Sequence, residues 1–70
     1  VTQKRLVDYH IARLQEKSAE VRKKSIHELA LLGDPSALDA LQTIYKTDPD
    51  PEVRKAAQEA GRTIFKAQQS

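Results

Sequence analysis

Cysteine is absent from the 70 residues, which excludes disulfides, thiolate metal sites and a cysteine nucleophile. The same absence fits a reducing compartment, and the expected location is cytoplasmic. Aromatic side chains are scarce, with Tyr9, Tyr45 and Phe65 the only three. The core must therefore come from Leu, Ile and Val and from close approach through Ala. Long apolar runs are missing too. The longest, Leu29 to Leu32, falls far short of the ~20 residues a membrane helix needs, so no membrane partner is expected. Neither sign of charge dominates: twelve basic and ten acidic residues leave a formal net charge of +2. That is a weak electrostatic footprint for a nucleic-acid protein. A chain this short buries only roughly 60% of the surface its unfolded form exposes. With nothing to staple it, stability must come from very regular helix packing or from further protein. The chain does not begin with Met, and we expect it to be a piece of a longer one.

The residues present are patterned for four helices. Val7, Ile11 and Leu14 lie at helical spacing in the first, with Lys4, Asp8 and Arg13 on its other side. Ser18 stands where an N-cap would, followed by Glu20 in the first turn of a second helix. In that helix Val21, Ser25, Leu29 and Leu32 fall in line, and Gly33 supplies a left-handed stop. Asp34-Pro35 restarts the chain, since Asp caps and Pro at the first helical position loses only an unpartnered amide. Leu38, Leu41, Ile44 and Tyr45 are expected on one face of the third helix. At Asp48-Pro49-Asp50-Pro51 two prolines break the chain. Asp50 then caps a fourth helix whose inner stripe is Val53, Ala57, Ala60 or Gly61, and Ile64.

The pattern repeats. Glu20-Val21-Arg22-Lys23 recurs as Glu52-Val53-Arg54-Lys55, 32 positions later. The same slide superposes the caps Ser18 and Asp50, and Leu32 on Ile64. A slide of 30 places Ile11 on Leu41 and Leu14 on Ile44. Short turns and a period in the low thirties indicate stacked helical hairpins. The expected fold is all-α, an α-solenoid fragment of two stacked hairpins. It forms a single domain over 1–70, with repeat one at about residues 3–32 and repeat two at about 35–66.

These residues resemble the HEAT-repeat class, and within it the HEAT-like repeats of phycobilisome lyases. The resemblance is carried by Asp48, Asp50, Pro51, Val53, Arg54 and Ala57 in the second copy. In the first it rests on Val21, Arg22 and Ser25, with Gly33-Asp34-Pro35 between the two. It implies a structural ladder between neighbouring repeats, made by an Asp in the turn and the Arg six residues later. Asp48 and Arg54 keep that spacing, whereas the first copy has Glu16 before Arg22. Function is open-ended in this class, which hosts scaffolds, adaptors, lyases and nucleic-acid proteins alike.

The candidate sites are few. His27-Glu28 resembles the His-Glu dipeptides by which HEAT-like deoxyhypusine hydroxylases bind iron. Those dipeptides follow the Val-Arg pair, where this chain has Lys23-Lys24 and Lys55-Ala56. Adjacent helical residues also point about 100° apart, so the pair cannot chelate one ion by itself. His27 is read as solvent-facing, and His10 as a packing residue with a satisfied ring nitrogen. No catalytic, cofactor-binding or metal residues are assigned. Gly61 is expected to admit a neighbouring backbone or a bulky side chain. Stacking would place Arg22, Lys23 and Lys24 about one repeat from Arg54 and Lys55, a candidate polyanion contact at helix N-termini. Glu20 and Glu52 interrupt that ridge, and it lacks aromatic residues for base stacking. Ile26, Leu31 and Phe65 fall outside the inner stripes and are expected at the ends of the stack or against a partner.

The function expected is non-enzymatic: protein–protein interaction or scaffolding by HEAT-like repeats, with no cofactor. The partner would be another protein or neighbouring repeats of the same chain. The alternatives are polyanion or nucleic-acid binding through the basic ridge, and a non-catalytic part of a bilin lyase.

Overall fold

Three of the four α-helices, and the short turn that leads into the other, start at a side-chain oxygen that accepts a hydrogen bond from the first turn, which satisfies a backbone N–H with no partner inside the helix. The computed structural model describes residues 2–69. In α1 (Gln3–Arg13) Thr2 Oγ1 accepts from Arg5 N at 3.3 Å. In α2 (Ala19–Leu32) Ser18 Oγ accepts from Val21 N at 3.3 Å. Asp34 Oδ1 accepts from Ser36 N at 2.9 Å and opens a short 3₁₀ turn, Pro35–Ala37, that leads into α3 (Leu38–Thr47). Asp50 Oδ1 accepts from Glu52 N at 2.8 Å and opens α4 (Pro51–Gln69). Gly33 ends α2 with φ of 65°, the left-handed region where L side chains are strained.

The third helix differs from its expected form. The sequence suggested a helix opening at Pro35, but the backbone first makes the 3₁₀ turn, with the Leu38 N–H donating to the Pro35 carbonyl. The tighter turn brings Ala37 fully into the core, a position that the apolar pattern alone does not mark.

Helix α1 packs on α2, α3 packs on α4, and α2 packs on α4. The molecule is therefore two antiparallel hairpins, with α2 and α4 meeting at the junction between them. All described residues in regular structure are helical. The core contains Val7, Leu14, Ile26, Leu29, Leu41, Ile44, Val53, Ala57, Ala60 and Ile64.

The arrangement corrects four expectations. Ile26 is buried, not free for an end face. Helix α2 lies between α1 and α4, so it buries a wide arc, whereas a single stripe of Val21, Ser25, Leu29 and Leu32 describes only one contact. Val21, taken as core, is only half-buried. Tyr45 was placed on the inner face of α3 and is 42% exposed. It follows Ile44 directly, and adjacent helical side chains diverge by about 100°. Gly61 meets open space, because a Cβ built there would have nothing within 4 Å; its lack of a side chain admits no close neighbour within this chain.

Leu29 and Leu31 give a direct test of this arc, because they stand two residues apart at 0% and 81% exposure. Leu29→Ala is expected to lower the unfolding free energy by about 2–5 kcal/mol in urea titrations. Leu31→Ala should change it by less than about 0.5 kcal/mol. Gly33→Ala should cost about 1 kcal/mol through its left-handed φ.

Candidate interaction surface

Arg22 lies in the first turn of α2 and Asp48 is the C-cap of α3, so the two belong to different hairpins. Their side chains meet in parallel, with Arg22 Nε donating to Asp48 Oδ2 at 2.8 Å and Nη2 donating to Oδ1 at 3.1 Å. This two-point geometry is what makes guanidinium–carboxylate pairs strong and directional. Arg22 Nη1 also donates to the carbonyls of Glu16 at 2.7 Å and Lys17 at 2.9 Å, in the turn between α1 and α2. Asp48 Oδ1 accepts in addition from its own turn, at Asp50 N, at 2.9 Å. One ion pair thus clamps the α1–α2 turn to the α3–α4 turn, with the two side chains only 11% and 3% exposed.

The ladder implied by the HEAT-like resemblance takes a different form here. Arg54 Nη1 donates to the backbone carbonyl of Asp48 at 2.7 Å, not to its carboxylate. The carboxylate turns to the neighbouring repeat, where Arg22 offers two N–H groups at once. Arg54 therefore reproduces the local half of what Arg22 does, since Arg22 Nη1 bonds the Glu16 carbonyl six residues before it at 2.7 Å. It lacks the other half. Its Nε and Nη2 have no carboxylate within the described residues.

The five basic residues of the candidate ridge are not equivalent. Arg22 is committed to the clamp and buried. Lys23 Nζ contacts Glu20 Oε1 at 2.8 Å. That hydrogen bond raises the Lys23 pKa and lowers that of Glu20. Lys24 and Lys55 are exposed, and Arg54 is half-buried. Two of the five cations are thus paired within the chain, and the exposed ones are Lys24 and Lys55. His27 is exposed, and no group of His, Cys, Asp or Glu among the described residues could hold a metal ion. His10 departs from its expected state: Nδ1 is buried without a hydrogen-bond partner. The Tyr9 ring lies edge-on to His10 at 5.1 Å, with the Arg13 guanidinium 5.4 Å from that ring's centre.

An open apolar groove runs between α3 and α4 on the side away from the first hairpin, with a volume of about 360 Å³. Leu38, Leu41 and Tyr45 form one wall, and Ala57, Gly61 and Phe65 the other. Gln58 Nε2 donates to Tyr45 Oη at 3.3 Å across it. Arg54, Gln58, Gly61 and Phe65 follow one another at spacings of four, three and four, so they share one face of α4. Arg54 therefore stands at the N-terminal end of the groove. The sequence points to Phe65 but not to the groove, because the apolar pattern of α3 directs Tyr45 inward and Gly61 carries the signature of a close contact. An apolar groove lined by two aromatic rings and bordered by the Arg62 guanidinium has the make-up of a protein-binding surface.

A family model described as HEAT repeats matches residues 2–61. No curated protein and no solved structure matches the chain.

The clamp and the ridge make separate predictions. Asp48→Ala strands a buried guanidinium and should cost about 3–5 kcal/mol in denaturant unfolding. Arg22→Ala/Asp48→Ala together should cost clearly less than the two single losses added, because the pair acts as one unit. Elution from heparin should be the same for the native chain and for Lys23→Glu/Lys55→Glu; earlier elution of the variant would restore the polyanion reading.

Proposed function

Because the chain belongs to the HEAT-repeat family, we propose that it is a non-enzymatic protein–protein interaction or scaffold module. HEAT repeats are commonly such modules. The single observation that carries the reading is the open α3–α4 groove. Its exposed aromatics, Tyr45 at 42% and Phe65 at 56%, line it together with Arg62, and Arg54, with two of its donors unpaired, lies one helical turn before Gln58 on the same face of α4. Aromatic and Arg side chains are the residue types enriched where proteins bind one another. The groove is held by two packed helices whose hairpin is clamped to its neighbour, so a partner need not order the receptor first. The finer proposal is that the repeats are of the phycobilisome-lyase type, supported by Asp48, Asp50, Pro51, Val53, Arg54 and Ala57 in the second repeat.

Photocrosslinking tests the binding face. A photoreactive residue at Gln42, on the groove, should give a defined protein adduct that unlabelled chain competes away. The same residue at Asp8, on the exposed side of α1, should not. Equal labelling from both positions would overturn the assignment. Tyr45→Ala and Phe65→Ala should each weaken the captured complex by about 1–2 kcal/mol while leaving Tm unchanged.

A further inference from the structure

The internal repeat is also an operator that can be applied to the whole molecule. A shift of 32 carries Arg22 onto Arg54 and Glu16 onto Asp48. Inside the chain, the Arg22 side of one repeat meets the Asp48 side of the next. At the ends, each half is left over. Arg54 keeps two sets of N–H groups without a carboxylate, and Glu16, exposed in the turn between α1 and α2, has its backbone engaged but its carboxylate unpaired. A free donor at one end of the stack and a free carboxylate in the matching register at the other are complementary.

The helix faces tell the same story. Across the junction between the hairpins, Ala56, Ala60 and Thr63 of α4 lie against Ile26 and Ala30 of α2. Under the same shift, Lys24, Glu28 and Leu31 of a second molecule would lie against Gln58 and Arg62 of the first. Glu28 comes opposite Arg62, a second pairing of opposite charge. Leu31, 81% exposed, comes onto the Arg62–Phe65 stretch, where Phe65 is 56% exposed. The two most exposed large apolar side chains of the molecule would then cover each other.

We propose that the chain associates head-to-tail with a second copy of itself. The α3–α4 face of one copy receives the α1–α2 face of the next, and Arg54 takes the Glu16 carboxylate as Arg22 takes Asp48. This rests on the reading of the groove as a protein-binding face and names its occupant. The contact is heterologous, using different surfaces on the two copies, so it propagates beyond a dimer. Because half of each pairing is ionic and near solvent, association weakens as salt rises.

Sedimentation equilibrium of the 70-residue chain tests this from about 10 µM to about 1 mM, the range where a small, partly polar contact is measured. The weight-average mass should climb past twice the monomer mass and fall when salt is added. Arg54→Glu alone and Glu16→Arg alone should each remain monomeric. Mixing the two variants should restore assembly, since every contact in the mixture again pairs opposite charges. Glu16→Arg removes no side-chain contact of the fold, and circular dichroism of both variants separates lost association from lost structure. A native chain that stays monomeric at about 1 mM, or variants that assemble as the native chain does, would overturn the proposal. If the native chain is monomeric while Gln42 still captures another protein, the second copy is the wrong occupant but the interaction module stands.

Discussion

The structure depends on a shared carboxylate. Asp48 ends α3, orders its own turn through Asp50 N, and takes two N–H groups from Arg22 of the preceding hairpin. Arg22 in turn holds the carbonyls of the first turn. Apolar burial is non-directional and would tolerate sliding of one hairpin over the other. A guanidinium fixed at four acceptor atoms tolerates little. The desolvation cost of burying both charges is offset only in that geometry, so the pair acts chiefly as a register device between the repeats.

The two hairpins share a plan but differ where it matters for binding. Within the molecule, the face that α2 offers to α4 is apolar or small, with Ile26 and Ala30. The corresponding positions on α4 are Gln58 and Arg62, and the position of buried Leu29 is taken by Gly61. Removing one large side chain and adding two polar ones turns a packing face into a groove with a polar rim. That composition is suited to a contact that forms and dissociates, because it neither collapses in water nor leaves a continuous apolar sheet exposed.

Exposed aromatic area on a stiff frame is what makes such a groove effective. Tyr45 is held over the groove by Gln58, and Phe65 stands one helical turn beyond Gly61. Arg54 at the groove's end is already tied to the Asp48 carbonyl, so part of the entropy of ordering a long side chain is lost before any partner arrives. The cations of the polyanion ridge are bound differently. Arg22 is buried in the clamp, Lys23 is paired with Glu20, and Arg54 is tied to the Asp48 carbonyl.

Local chemistry determined the elements of this protein. The caps Ser18, Asp34 and Asp50, the stop at Gly33 and the prolines at 35 and 51 act within a few residues of chain, so the four helices and their doubled plan could be read directly. The 3₁₀ turn before α3 was not legible, because Pro at a first helical position permits either geometry. Only tertiary structure decided which face of each helix is used. Ile26 became core because α2 is packed on two sides, Tyr45 became exposed because Ile44 took the inward direction, and Gly61 became part of an open groove wall because nothing in the chain stacks upon it. The same holds for the clamp. The family resemblance pointed from Asp48 to Arg54, but a carboxylate chooses among the guanidinium groups that packing brings near, and packing brought Arg22.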